Sequence, residues 1–185
     1  MVYAIKELAN NYIHEFKRMG WRDILLQGIS LAMIIGSALT VWKTLMLVSM
    51  SESPVVVVLS GSMEPGFMRG DILVLYNGGR GPLTGDVVVF KLQDRDIPIV
   101  HRVVRNHQRG DGAPTELLTK GDNNWGDDRS LYPHGQDWLG EQQVVGHAVG
   151  YIPYLGMVTI LMNDYPMLKY GLIGVLGLLV LTTKD

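Results

Sequence analysis

Cysteine is absent from this 185-residue chain. Its absence excludes disulfides, thiolate zinc sites and a cysteine nucleophile, so serine, threonine, histidine and carboxylates remain as candidate catalytic groups. Basic character is also missing, since the formal net charge is −2, and no nucleic-acid partner is expected without a basic surface. No Asn-x-Ser/Thr sequon occurs, so glycosylation gives no indication of the compartment.

Charged residues are scarce in one long segment near the N-terminus. Apolar residues run almost without interruption from Ile24 to Trp42 and continue past Lys43 to Val48, which satisfies the roughly 20 residues that a spanning helix needs. The segment is also longer than the apolar core of a typical cleaved signal. We therefore expect residues 24–48 to form a retained transmembrane anchor.

The residues before this anchor are amphipathic. Apolar side chains recur at helical spacing over residues 2–20, which predicts an amphipathic helix that lies at the membrane surface or packs on a partner. The apolar segment that follows directly favours the membrane surface. Basic residues precede the anchor in larger number than they follow it, and the positive-inside rule then assigns residues 1–23 to the cytoplasm and residues 49–165 to the opposite side. The basic residues in question are Lys6, Lys17, Arg18 and Arg22 before the anchor, and Lys43 close after it.

A second apolar run lies near the C-terminus. It extends from Tyr170 to Leu181 and is shorter than the roughly 20 residues required to cross a bilayer of ordinary thickness. We therefore expect residues 166–185 to form a short segment at or in the membrane rather than a second full span.

The middle of the chain is typical of a β-rich globular domain. Between Ser53 and Ile152, short β-branched runs are separated by turn residues. The fold class expected is mainly β, with an N-terminal transmembrane helix and a short C-terminal apolar helix. A long irregular stretch over residues 121–140 is a candidate functional loop. The predicted strands are Val55–Leu59, Asp71–Tyr76, Asp86–Leu92, Ile97–Val104, Glu116–Lys120 and Gln143–Tyr151.

Two hydroxyl groups follow the first predicted strand. Ser60 and Ser62 lie at its exit, and the turn formed by Pro65 and Gly66 would hold Ser62 rigidly enough for nucleophilic attack. Serine is a weak nucleophile and needs a base. His101 is the candidate, because it lies within an apolar strand where a partly buried imidazole can act as both general base and general acid.

Three aspartates of the long loop could orient the imidazole: Asp122, Asp127 and Asp128. A triad in the chain order Ser, His, Asp is chemically reasonable, because triads are recognised by role rather than by order. The residues by themselves leave the choice among the three open, and the ordinary alternative is that they only form Asx turns. The other histidines show no HExxH-type pairing, so neither a metal site nor a cofactor is expected.

Three ordered motifs resemble those of the type I signal peptidases, a family of membrane-bound, β-rich serine peptidases. Ser60-Gly61-Ser62-Met63-Glu64-Pro65 is similar to the nucleophile box of that family. The base-bearing box has a histidine, His101, where bacterial members carry lysine, and this difference indicates the endoplasmic-reticulum and archaeal branch. The second box comprises residues 85–90 and 99–104, and the third comprises Gly121-Asp122-Asn123-Asn124 with Asp127-Asp128.

The resemblance implies a role for each matching residue. Ser62 would be the acylated nucleophile, His101 the general base and acid, and Asp128 the carboxylate that orients the imidazole. Asp122 would be a second required acid. The Ser60 hydroxyl and the backbone N–H of Ser62 would form the oxyanion hole.

The resemblance also implies an activity and a location. The chain would remove signal peptides from secretory and membrane precursors at the endoplasmic reticulum, with a luminal catalytic domain on a single-pass type II anchor. The implied partners are signal peptides, other subunits of a signal peptidase complex and the lipid bilayer. Two alternatives remain: an archaeal signal peptidase that acts alone, and a non-catalytic, membrane-tethered scaffold in which the three motifs are structural turns.

Overall fold

The computed structural model describes residues 20–93, 95, 97–107 and 115–182. The chain divides into two units, of which one comprises residues 45–165 and the other comprises the two flanking segments. Apart from Gly20, the amphipathic helix predicted for residues 2–20 lies outside the described residues.

The N-terminal apolar segment forms one long helix. This helix, α1, covers Trp21–Ser49, and its 29 residues include the whole predicted anchor. It is the one helix among the described residues that is long and apolar enough to cross a membrane. The hydroxyls of Ser37, Thr40 and Thr44 donate to carbonyls of the preceding turn, as Thr40 does to the carbonyl of Gly36 at 2.8 Å, and these donors are therefore paired within the helix.

Two helices end the chain, and one of them was not anticipated. The helix α2 covers Met157–Asp164, a segment for which the sequence predicts no defined element. The helix α3 covers Pro166–Thr182, and its 17 residues confirm a short apolar C-terminal helix. Proline at the start of α3 separates the two helices because it lacks a backbone N–H yet fits the first helical turn.

Seven antiparallel strands form a single sheet in the middle unit. Their spatial order is β1-β2-β7-β3-β4-β5-β6, so β1 and β6 form the two edges. The predicted mainly β fold is therefore confirmed, and six of the strands lie where β-branched runs occur in the sequence. The strands are β1 Val55–Val57, β2 Ile72–Tyr76, β3 Val87–Phe90, β4 Ile99–His107, β5 Glu116–Lys120, β6 Leu139–Gly140 and β7 Val144–Ile152.

The sheet buries apolar side chains on both of its faces. Successive side chains of a strand point to opposite faces, and in β3 both Val88 and Val89 are fully buried, in two different clusters. This explains why β3 is a continuous apolar run and not an alternating one. Phe90 belongs to the larger cluster, which also contains Val103 and Tyr132, and its ring packs against the ring of His101.

The long loop after β5 contains more regular structure than its sequence indicates. A 3-10 turn covers Asp128–Ser130, and the two-residue strand β6 pairs with β5 at the sheet edge. Neither element is long enough to produce a periodic pattern, so neither is visible in the sequence. The 3-10 turn nevertheless positions a buried carboxylate beside β4.

Candidate active site

Ser62 lies in a tight turn just beyond β1. The backbone N–H of Glu64 donates to the carbonyl of Gly61 at 3.2 Å, and that of Phe67 donates to the carbonyl of Met63 at 3.1 Å. The Met63 side chain is 1% exposed, so burial of this apolar side chain fastens the turn to the domain. The Ser62 hydroxyl is therefore held at the surface on a rigid support.

A second segment fastens the same turn from the side of β5. The backbone N–H of Asn123 donates to the carbonyl of Ser62 at 2.9 Å. Its side-chain amide donates to the carbonyl of Gly61 at 3.0 Å. Gly121 allows this close approach, because a Cβ there would lie 2.7 Å from the carbonyl oxygen of Ser62.

His101 lies on β4 and is 3% exposed. Strand β3 holds it from one side, since His101 is paired with Val88 in the antiparallel register. The Phe90 ring packs edge-on to the imidazole, with a centroid separation of 6.4 Å. Backbone pairing and ring packing together fix the orientation of the imidazole.

The imidazole connects Ser62 to Asp128. His101 Nδ1 lies 2.6 Å from Asp128 Oδ2, and His101 Nε2 lies 3.1 Å from the Ser62 hydroxyl oxygen. An ionised carboxylate only accepts hydrogen bonds, so Nδ1 carries the proton and donates to Asp128. In the neutral imidazole, Nε2 is then free to accept from Ser62 Oγ, which is the direction that proton abstraction requires.

Asp122 takes part in a different interaction. Its carboxylate accepts two hydrogen bonds from Arg102, from Nε at 2.9 Å and from Nη2 at 2.7 Å. Arg102 also donates to the carbonyl of Gly85 at 2.9 Å. The hydrogen bond with Arg102 is the main reason that the pKa of Asp122 is lowered from its ordinary value, since it favours the ionised form. Asp122 thus contacts neither Ser62 nor His101 by a hydrogen bond.

Asp127, the third candidate carboxylate, caps the 3-10 turn. Its Oδ1 accepts from the backbone N–H of Arg129 at 3.3 Å, as aspartate commonly does at such an N-terminus. Of the three aspartates that the sequence left open, Asp128 is therefore the one in contact with His101.

Ser60 lies beside the nucleophile candidate. Its hydroxyl oxygen is 3.2 Å from that of Ser62, and the side chain is exposed. This distance keeps a second hydroxyl next to the atom that would attack a carbonyl carbon. The residue is thus close enough to serve as a donor to an oxyanion, as the resemblance implies.

Two further polar residues adjoin Asp128, and sequence reasoning missed both. Thr119 on β5 donates from its hydroxyl to Asp128 Oδ2 at 2.6 Å. The Tyr132 hydroxyl lies 2.9 Å from the Thr119 hydroxyl oxygen, and burial raises the pKa of Tyr132. The alternation of β5 could have identified Thr119 as an inward-facing residue, but no signal in the sequence indicates its contact with Asp128.

A cleft of about 650 Å³ opens in front of Ser62 and His101. Its lining includes the segment 57–60, at the end of the edge strand β1 and just beyond it, and the segment 97–100, at the start of β4 and just before it. Val57, Leu59, Ile97 and Ile99 give the cleft a largely apolar lining. No group of three or more His, Asp or Glu side chains suited to a metal ion occurs among the residues that the structure describes.

Ser62, His101 and Asp128 link a hydroxyl, an imidazole and a buried carboxylate in this order beside an apolar cleft. Serine peptidases have this arrangement. Family models agree with this class. A model described as "Peptidase S24-like" matches residues 28–124, and one described as "Signal peptidase C-terminal short helix" matches residues 157–182.

Curated relatives narrow the class further. Signal peptidase complex catalytic subunit SEC11C of Homo sapiens is 53% identical over 172 residues, which cover 92% of this chain and 89% of that protein. The subunit SEC11 of Schizophyllum commune is 48% identical over 185 residues, with coverages of 92% and 96%. The subunit sec11 of Dictyostelium discoideum is 48% identical over 174 residues, with coverages of 94% and 96%. The chain therefore belongs to the family of signal peptidase complex catalytic subunits.

Proposed function

We propose that this chain is the serine endopeptidase that removes signal peptides from secretory and membrane precursors entering the endoplasmic reticulum. The observation that carries the chemistry is the continuous contact from Ser62 Oγ through His101 to the buried carboxylate of Asp128. Membership of the signal peptidase family supports the substrate class.

The reaction proceeds by acyl transfer. Ser62 Oγ attacks the scissile carbonyl carbon while its proton passes to His101 Nε2, and the developing imidazolium is stabilised by Asp128. His101 then gives this proton to the leaving amine, which departs as the new N-terminus of the mature protein. In the second half, a water molecule is deprotonated by His101 and hydrolyses the ester, which releases the signal peptide and regenerates Ser62.

The oxyanion formed at each tetrahedral step is bound by two donors. The backbone N–H of Ser62 and the hydroxyl of Ser60 are the groups proposed for this role. The 3.2 Å separation of the two hydroxyl oxygens supports it. A single donor of this kind typically accelerates acyl transfer by the equivalent of about 3 kcal/mol.

The substrate binds as an extended strand in the cleft. Strand β1 is an edge of the sheet, and the segment that continues it lines the cleft, so its backbone groups are suited to pair with an added strand. The apolar lining favours uncharged side chains, and the resemblance to signal peptidases supports small ones at the first and third positions before the cleavage site. The strand-like binding mode and the preference for small, uncharged side chains are both part of the proposal.

The membrane arrangement follows from the apolar segments. Residues 24–48 anchor the chain, residues 1–23 are cytoplasmic, the catalytic domain of residues 49–165 is luminal, and residues 166–185 lie at or in the membrane. The length and composition of α1 support the anchor, and the excess of basic residues before it supports the orientation. The other subunits of a signal peptidase complex are the proposed partners.

The experiment compares wild type with Ser62→Ala in a detergent-solubilised complex, using a radiolabelled presecretory protein as substrate. Ser130→Ala is the matched control, because Ser130 is an exposed serine in the neighbouring 3-10 turn. We expect cleavage after a small residue by wild type and the control, and none by an assembled Ser62→Ala complex. Equal cleavage by Ser62→Ala would assign the chemistry to another subunit and leave this chain a scaffold.

The same assay distinguishes the archaeal-type alternative. The chain is purified alone and with its copurifying partners, and each preparation is assayed at equal concentration of this chain. Activity that requires the partners supports the proposed complex. Full activity of the isolated chain would favour a signal peptidase that acts alone.

A further inference from the structure

Three buried polar side chains form a chain of hydrogen bonds behind His101. Thr119 Oγ1 lies 2.6 Å from Asp128 Oδ2, and the Tyr132 hydroxyl lies 2.9 Å from Thr119 Oγ1. The backbone N–H of Thr119 also donates to the Tyr132 hydroxyl oxygen at 3.1 Å. Thr119 is 0%, Asp128 1% and Tyr132 5% exposed, so the bonds are shielded from water.

The direction of each bond in this chain is forced. An ionised carboxylate only accepts, so the single hydroxyl proton of Thr119 points to Asp128. The Tyr132 oxygen accepts from the backbone of Thr119 and has one proton of its own. That proton therefore points to Thr119 Oγ1, which leaves the Thr119 proton free for Asp128.

Asp128 Oδ2 consequently accepts two hydrogen bonds, one from Thr119 and one from His101 Nδ1, each at 2.6 Å. Two donors on one oxygen fix the rotation of the carboxylate. They also stabilise its charge in a site with little access to water. The neutral imidazole is thereby held with its proton on Nδ1, which leaves the Nε2 that faces Ser62 free to accept a proton.

Backbone structure supports the same arrangement. Thr119 pairs with Val103 on β4, the strand that carries His101. The 3-10 turn links the other two members, because the backbone N–H of Tyr132 donates to the carbonyl of Asp128 at 3.2 Å. The Phe90 ring packs edge-on to both Tyr132 and His101, with centroid separations of 6.4 Å to each.

We propose that Thr119 and Tyr132 are positioning residues, which act on peptide cleavage through Asp128 and have no contact with substrate. This inference rests on the proposed function. Hydrogen bonds to a buried charge are stronger than bonds between neutral groups. Loss of the Thr119 hydroxyl should therefore slow the chemical step while the substrate cleft, which does not include Thr119, keeps its affinity.

The test compares Thr119→Val, Thr119→Ser and Tyr132→Phe with wild type in the assembled complex, by steady-state cleavage of a presecretory substrate. Thr119→Val should lower kcat roughly 10- to 100-fold and leave KM within about twofold. Thr119→Ser keeps the donor and should stay within about threefold of wild-type kcat. Thr115→Val is the matched control and should match wild type, since Thr115 is a buried threonine just before β5.

Tyr132→Phe covers the possibility that Thr119→Val does not assemble. It removes one oxygen and keeps the ring that packs on Phe90, so assembly should persist. We expect kcat to fall about fivefold at unchanged KM, because the Thr119 hydroxyl loses the donor that directs its proton to Asp128.

Three results would overturn the proposal: wild-type kcat for Thr119→Val, a loss in Thr119→Ser as large as that in Thr119→Val, or wild-type kcat for Tyr132→Phe. Ser62→Ala is assayed in parallel. An inactive Ser62→Ala with a fully active Thr119→Val rejects only the positioning role. A fully active Ser62→Ala rejects the proposed function as well.

Discussion

Replacing Asp128 by asparagine isolates the contribution of one buried negative charge. Asparagine has the shape of aspartate, and its carbonyl oxygen can occupy the Oδ2 position that accepts from His101 Nδ1 and from Thr119. The hydrogen-bond geometry can thus persist while the charge is lost. The substitution therefore tests whether Asp128 stabilises the imidazolium that forms when Ser62 is deprotonated.

The expected magnitude follows from the contact distance and the burial. The donor and acceptor atoms are 2.6 Å apart and both side chains are almost fully buried. Two unit charges whose centres are about 4 Å apart attract by about 4 kcal/mol at an effective dielectric constant of about 20. That energy corresponds to about a 10³-fold change in rate. We therefore expect kcat to fall by about 10³-fold in Asp128→Asn.

The assay is single-turnover cleavage of a presecretory substrate, with assembly of the complex checked by copurification. Asp127→Asn is the matched control, because Asp127 is the neighbouring residue and asparagine caps a helical turn as well as aspartate does. We expect Asp127→Asn to stay within about threefold of wild type. An assembled Asp128→Asn complex that keeps more than a tenth of the wild-type rate would refute the electrostatic role, and so would equal losses in the two variants.

Two further predictions concern the segment that fastens the Ser62 turn. In Gly121→Ala, the new Cβ would lie 2.6 Å from Asn124 Nδ2 and 2.7 Å from the Ser62 carbonyl oxygen. We expect kcat to fall about tenfold or more, because the clash displaces the nucleophile. Gly126→Ala is the control and should leave kcat unchanged, since a Cβ at Gly126 has nothing within 4 Å. Equal activity of the two variants would contradict this prediction. Asp122→Asn should lower the free energy of unfolding at pH 7 by about 1 kcal/mol or less, as for a partly exposed ion pair. Because Arg102 lowers the pKa of Asp122, this difference should be present above the unfolded pKa of about 4 and vanish as the pH falls through the lower folded value. Thermal unfolding of both forms from pH 7 to pH 3 measures it, and a difference that grows toward low pH would show that the sign is wrong.

The long apolar segment and the β-branched runs could be interpreted from sequence alone, because their length and pattern are local properties. The helix α1 and six of the strands lie where these patterns occur. Strand β6 and the helix α2 were missed. Strand β6 has two residues, too few for a pattern. The helix α2 has eight residues, and such a short, mostly apolar run cannot be assigned to a helix or a strand from its periodicity.

The sequence by itself determined which catalytic groups were available. It has no cysteine, and it places Ser62 just after one predicted strand, His101 within another and three aspartates in one loop. Only the tertiary structure decided which aspartate contacts His101. The reason is that the loop after β5 turns back through a 3-10 turn, which brings Asp128 into the core beside His101 and leaves Asp122 paired with Arg102. The same loop conformation brings Asp128 and Tyr132 next to Thr119 on β5. Contacts between a strand and an aperiodic loop depend on packing, so they leave no periodic signal in the sequence.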